Sequence, residues 1–154
     1  PCLVRINLVI IVNLDIMYYI KKIMNNTIFK ILKYSYYFSL VSLFILYLFP
    51  GSLIGYFLYG NMAQQLDLIH NPIGTSINHL ISFMYLSILA FIIRVREKKF
   101  INSFYFLLFI SITLEIFHYF IPNRAFEYYD LIANFIGVTF TYLLIRLIIK
   151  ILIK

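Results

Sequence analysis

The chain has 154 residues, 63% hydrophobic and 12% charged, with a mean hydropathy of +0.92, whereas a soluble domain is about 45–50% apolar and about 25% charged. A water-soluble globular fold is excluded, and the length suits one all-α membrane domain with room for four or five helices at about 20 residues per span. The formal net charge of +7 is read as a topology signal and not as a nucleic-acid surface, because basic residues in such chains collect beside the cytoplasmic face. Cys2 is the only cysteine, which leaves no disulfide framework and no thiolate metal cluster.

Residues 1–26 read as an N-terminal extension. Residues 8–12 are apolar, but Asn13, Asp15, Lys21 and Lys22 make the stretch too short and too polar to span. It is either an interfacial helix or a segment upstream of a start at Met17 or Met24, and it lacks the small-residue cleavage site of a signal peptide. The membrane domain is expected over residues 27–154. Its first span falls within residues 34–58, where Pro50-Gly51 should end the helix near Phe49 and leave a short apolar segment to Tyr59. Residues 60–75 form the longest polar connection, with Gln64, Gln65, Asp67, His70, Asn71 and Pro72. A second span covers residues 77–93, followed by the basic turn Arg94-Val95-Arg96-Glu97-Lys98-Lys99. A third covers residues 100–121 and stops at Pro122, and a fourth covers residues 129–149, with Arg146, Lys150 and Lys154 at its end.

The cations set the expected orientation. Lys21, Lys22, Lys30 and Lys33 precede the first span, Arg94, Arg96, Lys98 and Lys99 join the second to the third, and three more close the chain. With four spans all three groups fall on one side. The positive-inside rule then puts both termini in the cytoplasm and both weakly charged loops outside. Tyr56, Tyr59, Tyr119, Tyr128 and Tyr129 would form the outer aromatic belt, and Tyr34, Tyr36 and Tyr37 the inner one.

Against this greasy background, residues 115–137 carry Glu115, His118, Arg124, Asp130 and Asn134. An ionised group at the centre of a spanning helix costs roughly 2.5–3.5 kcal/mol on insertion scales, so such groups call for a reason. Glu115 precedes Pro122 by seven residues, which places it roughly 10 Å below the outer end of the third span. His118 follows one turn on, on the same face. Arg124 lies in the outer loop, Asp130 opens the fourth span, and Asn134 and Gly137 continue its stripe. His79 joins from the outer end of the second span. The residues converge on the outer leaflet and are read as one polar site.

Each residue also has a plainer role. Asp130 suits an N-cap, Asn134 interhelical glue, and Gly137 close helix approach. Arg124 suits an interfacial cation, and His79 and His118 suit amphipathic rings near the interface. Glu115 is either neutral and hydrogen-bonded or paired with Arg124. Glu115-x-x-His118 with His79 and Asp130 invites a metal reading, but the spacing is common by chance, and neither a metal nor a cofactor is expected. Nucleophile elbows, phosphate loops and dinucleotide motifs are absent from the sequence.

With these residues in place, the chain resembles the VanZ-like family of small bacterial membrane proteins. The resemblance rests on Asn78-His79 with Phe83, then Glu115, Pro122-Asn123-Arg124, Asp130-Leu131-Ile132-Ala133-Asn134 and Gly137, and covers roughly residues 45–145. Two positions depart from the pattern: His118 stands where the family usually has glutamine, and Asn78 where it often has aspartate. His118 can still donate and accept a hydrogen bond, but an imidazole can carry a charge that a glutamine cannot. The resemblance implies a multi-pass protein of the bacterial cytoplasmic membrane, in cell-envelope settings, with a link to resistance against the glycopeptide teicoplanin.

The expected function is a four-helix transmembrane envelope protein whose outer-leaflet pocket binds an anionic group. A phospholipid headgroup, a lipid-linked glycan precursor or a glycopeptide would each suit, with Arg124 pairing the anion and Glu115 and Asp130 orienting Arg124 and His79. Membrane lipids are the expected partners, with no nucleic acid. Two alternatives stay open: an intramembrane enzyme acting on an envelope lipid or glycan, with Glu115 or His118 as general base, and a structural membrane partner with no ligand.

Overall fold

A computed structural model describes residues 24–64 and 76–152. The extension up to residue 23, residues 65–75 of the polar connection and residues 153–154 lie outside the described residues. All regular structure among the described residues is helical, and it forms a membrane-type bundle.

Helix α1 spans Asn26–Leu48. It starts ahead of residue 34 because Asn25 caps it, accepting from the Thr27 amide at 3.4 Å, and because Lys33 finds Glu97 at 2.8 Å. The helix ends just before Pro50-Gly51, as the missing proline amide requires, and Gly51 takes a φ of +86°. Ser52 then caps a short helix, α2 (Leu53–Tyr59), by accepting from the Gly55 amide at 2.9 Å, and Gly60 closes it in the left-handed region. Helix α3 spans Ser76–Arg94.

The expected third span, residues 100–121, is interrupted at both ends. A 3-10 turn, Phe100–Asn102, precedes α4, which spans Phe104–Phe117 and is capped by Ser103 accepting from the Phe106 amide. Beyond Phe117 the ladder tightens to i→i+3 bonds, from the His118, Tyr119 and Phe120 amides to the carbonyls of Glu115, Ile116 and Phe117. That tightening is a common way to close a helix end, and it leaves Glu115 within the last turn of α4. Helix α5 spans Tyr128–Leu152.

Three helices, α1, α3 and α5, are long and apolar enough to cross a membrane. The 14 residues of α4 rise only about 21 Å, roughly 9 Å less than a typical hydrocarbon core.

The buried stripes show how the sequence selects the packing. On α1 they fall at Phe29, Tyr36, Leu40, Leu43 and Tyr47, and on α3 at Phe83, Leu86, Ala90 and Ile93, both at the 3.6-residue period. The α5 stripe is inverted: its buried positions are Asp130, Asn134, Gly137, Val138 and Thr141, while Ile132, Phe135, Ile136, Phe140 and Leu143 face outward. A helix with small and polar residues inside and large apolar residues outside suits lipid as its solvent. Gly137 is the point of closest approach, because a Cβ there would lie 2.7 Å from the Leu80 carbonyl oxygen and 3.0 Å from the Phe83 Cβ. The contact between α3 and α5 is the most extensive in the bundle.

The two ends of the bundle differ. At one end Glu97 meets Lys33 at 2.8 Å and Lys99 at 3.5 Å, Arg96 donates to Asn26 Oδ1 at 3.0 Å and to the Met24 carbonyl, and Tyr36 donates to the Ile101 carbonyl at 2.5 Å. Lys33 holds the Glu97 carboxyl below its usual range. The other end gathers the C-termini of α1 and α4 with the N-termini of α3 and α5, and carries the polar cluster.

Candidate functional site

The cluster is organised from one fixed acceptor, the backbone carbonyl of Ser111 in α4. Asn134 Nδ2 donates to it at 3.2 Å, which turns Asn134 Oδ1 toward α1. There Tyr47 donates its hydroxyl proton to Oδ1 at 2.9 Å. The Tyr47 oxygen lies 2.5 Å from His79 Nδ1. Because the phenol proton is already committed to Asn134, His79 Nδ1 must be the donor in that contact. The chain of hydrogen bonds therefore sets the imidazole tautomer, with Nδ1 protonated.

The other ring nitrogen, His79 Nε2, faces Asp130 Oδ2 at 3.4 Å. Asp130 Oδ1 accepts from the Ser76 hydroxyl at 2.5 Å. Asp130 sits in the first turn of α5 and not at the cap position, so its carboxylate looks across to α3. The N-cap reading of Asp130 is thereby replaced by a bridge between two helix N-termini. Both termini present positive dipole ends to the cluster, an arrangement that favours carboxylates by typically 0.3–1 kcal/mol per helix end.

Glu115 is fully buried. Its Oε1 accepts from His118 Nδ1 at 3.1 Å and from the Glu127 amide at 3.2 Å, directly before α5. Its Oε2 has no hydrogen-bond partner and lies 3.9 Å from His79 Nδ1. His118 is also buried, stacked on the Tyr47 ring with centroids 5.4 Å apart, and its Nε2 has no partner. Burial pushes the Glu127 carboxyl above its usual range, and the neighbouring Asp130 and Glu115 add to that shift.

Arg124 directs its hydrogen bonds to backbone carbonyls and not to the carboxylates. Its Nε donates to the Phe49 carbonyl at 3.3 Å and its Nη2 to the Leu46 carbonyl at 2.7 Å. It thus satisfies the end of α1, where orphan carbonyls and the negative dipole end favour a cation. The pairing of Arg124 with Glu115 is not formed. Burial lowers the guanidinium from its ordinary value, while Tyr47, Glu115 and Asp130 draw it back up.

The structure therefore joins His79, Glu115, His118, Asp130 and Asn134 in one network, sets Arg124 at its α1 border, and uses Gly137 for packing one turn below. Tyr47 and Ser76 were not singled out from sequence. Tyr47 binds the network together, touching His79, His118, Asn134 and the edge of Phe83. Its signal was available: it continues the Phe29, Tyr36, Leu40 and Leu43 stripe, and a phenol on a buried stripe needs a partner. Ser76 is a short hydroxyl at the first position of α3 and carries no pattern of its own. His79, Glu115 and Asp130 also offer ligand atoms that lie within 4.8 Å of one another.

The fold and the network define a helical membrane protein with a buried polar site at one end of its bundle. Over residues 4–150 the sequence matches the family described as VanZ/LLP1, and the chain belongs to that family. None of the curated proteins and none of the solved structures matches it.

Proposed function

We propose that the chain is a multi-pass protein of the bacterial cytoplasmic membrane, both termini inside, whose outer-end cluster binds the polar group of an envelope amphiphile. A phospholipid headgroup, a lipid-linked glycan precursor or a glycopeptide carries such a group, and through it the protein contributes to glycopeptide tolerance. Membership of the VanZ/LLP1 family, the apolar helices and the cations gathered at the opposite end support this reading. The observation that carries it is the spare bonding capacity of Glu115 Oε2 and His118 Nε2. A cluster that only clamped helices together would satisfy its own buried atoms, since each orphaned group costs about 1–3 kcal/mol. Arg124 acts by holding the end of α1, and so Tyr47, in place.

The test is teicoplanin susceptibility of a sensitive bacterium expressing the chain, with membrane abundance measured in parallel. Glu115→Gln and His118→Phe should each lose the tolerance that the parent chain confers while reaching the membrane at parental levels. Full tolerance in both variants refutes the reading.

One observation favours the enzymatic alternative. His118, oriented by the Glu115 carboxylate through Nδ1 with Nε2 left bare, has the arrangement of a general base. Turnover of an envelope lipid or glycan by purified protein, lost in His118→Phe, would distinguish catalysis from binding.

A further inference from the structure

The tautomer of His79 leaves its other ring nitrogen facing the Asp130 carboxyl. With Nδ1–H donated to Tyr47, the lone pair of Nε2 points at Asp130 Oδ2 across 3.4 Å. Two acceptors face each other in a largely buried site. Beside them Glu115 Oε2, on a fully buried residue, has no hydrogen-bond partner. The three residues come from three different helices, and each offers a ligand atom within 4.8 Å of the others.

We propose that His79 Nε2, Asp130 Oδ2 and Glu115 Oε2 bind one divalent transition-metal cation, of which zinc fits the donor set best. One imidazole and two carboxylates are a mixed nitrogen and oxygen shell of the kind zinc takes, with a fourth position left open. Two ligands about 2.1 Å from one ion at a tetrahedral angle lie about 3.4 Å apart, and the His79 Nε2 to Asp130 Oδ2 separation is 3.4 Å. Glu115 Oε2 lies 3.9 Å from the other ring nitrogen, Nδ1, so Glu115 must rotate toward Nε2 to complete the shell.

The unpartnered carboxylate oxygen favours a metal over a proton. A proton shared by His79 and Asp130 would leave Glu115 Oε2 without a hydrogen-bond partner. A divalent cation engages a ligand atom from each of the three residues. The surroundings are also those of a metal ligand. The non-coordinating nitrogen of His79 donates to Tyr47, which is held in turn by Asn134, and Asp130 is held by Ser76. Such outer partners fix the tautomer and orientation of metal-bound histidines and carboxylates. His118 is outside the set, because its Nδ1 is directed to the other Glu115 oxygen. This inference rests on the polar-site reading and deepens it: two bare carboxylates repel an anionic headgroup, whereas a bound cation attracts one.

The experiment is cobalt and zinc titration of the purified full chain in detergent, with metal content measured after dialysis. Wild type should retain about one ion per chain, and cobalt should give the visible absorption of a four-coordinate site. His79→Ala and Asp130→Asn should abolish retention. Tyr47→Phe should keep the stoichiometry and weaken affinity by about 10–100-fold, as loss of an outer partner does. His118→Phe should keep both. Folded wild-type protein that takes up neither metal overturns the proposal, whatever the variants do, and so does retention by His79→Ala. If wild type takes up no metal while Glu115→Gln still loses tolerance, the metal falls and the polar-site reading stands. If metal binds and tolerance is indifferent to Glu115 and His118, the metal stands and that reading falls.

Discussion

Tyr47→Phe is the sharpest test of how the network is built. The substitution keeps the ring that stacks on His118 and meets His79 and Phe83 edge-on, and removes one oxygen atom. That atom donates to Asn134 at 2.9 Å and contacts His79 Nδ1 at 2.5 Å, so two hydrogen bonds are lost together. Asn134 is fully buried and His79 nearly so, and water does not readily replace the hydroxyl. Orphaned buried groups in soluble proteins cost about 1–3 kcal/mol each. In membranes the figure is smaller, averaging about 0.6 kcal/mol per bond with a maximum near 1.7, because the dispersed helices also find partners. Two bonds then predict a loss of about 1–3 kcal/mol, or roughly 5–150-fold in the folding equilibrium.

Reversible unfolding in mixed micelles or bicelles measures that loss directly. A cycle with Asn134→Ala isolates the pair, and the double variant should lose less than the sum of the two single ones. Nitrogen-15 NMR of the imidazoles supplies an independent readout, with His79 carrying its proton on Nδ1 in wild type. A loss below about 0.5 kcal/mol, within the range of ordinary surface substitutions, would refute the network as described. So would a wild-type His79 protonated on Nε2 alone, since the direction of every hydrogen bond from Ser111 outward depends on it.

Other consequences follow from the packing and the opposite end. Gly137→Ala should destabilise by about 1–3 kcal/mol in the same assay, the usual cost of overpacking, because the new methyl would lie 2.7 Å from the backbone oxygen of Leu80; neutrality would contradict the close crossing of α3 and α5. At the charged end, the folded-state carboxyl of Glu97 lies below its ordinary value of 4.5 through Lys33. Its stabilisation is therefore complete above that ordinary value and is lost as pH falls through the lowered one, and Glu97→Gln should flatten the acid limb of a stability profile. For orientation, Glu97→Cys and Ala125→Cys in a Cys2→Ser background should react differently with an impermeant thiol reagent on intact cells, position 125 being labelled and position 97 protected. The reverse pattern would overturn the proposed topology.

Much of the fold was legible because hydrocarbon is an undemanding solvent: long apolar runs punctuated by Pro50, the basic turn at residues 94–99 and Pro122 leave few arrangements other than a helical bundle. The ends of the helices were less so. Residues 100–103 and 118–121 carry no proline or glycine, and only the local choice of i→i+3 bonds by His118, Tyr119 and Phe120 shows that α4 has stopped. Within the site, polarity in a greasy background singled out the residues of α3, α4 and α5 that the structure joins. It passed over Tyr47, because a tyrosine is unremarkable near a membrane interface until the buried face of α1 is known.

Arg124 shows why composition could point to the site and still leave its partner open. Read along the sequence, a cation near two carboxylates suggests an ion pair, since charge is the only property of Glu115 and Asp130 that the sequence displays. The competing partner was the C-terminus of α1, whose carbonyls at Leu46 and Phe49 belong to apolar residues and leave no trace in the pattern of side chains. Once the Pro50-Gly51 break ends α1, those carbonyls lack amides and must be satisfied in an apolar setting, and Arg124 is the cation within reach. The carboxylates then depend on what remains, namely the amide of Glu127, the hydroxyl of Ser76, the ring of His118 and two helix N-termini. Those groups provide hydrogen bonds and partial charges. The break in α1 at Pro50 thus directs the arginine's hydrogen bonds to α1 and leaves Glu115 Oε2 without one.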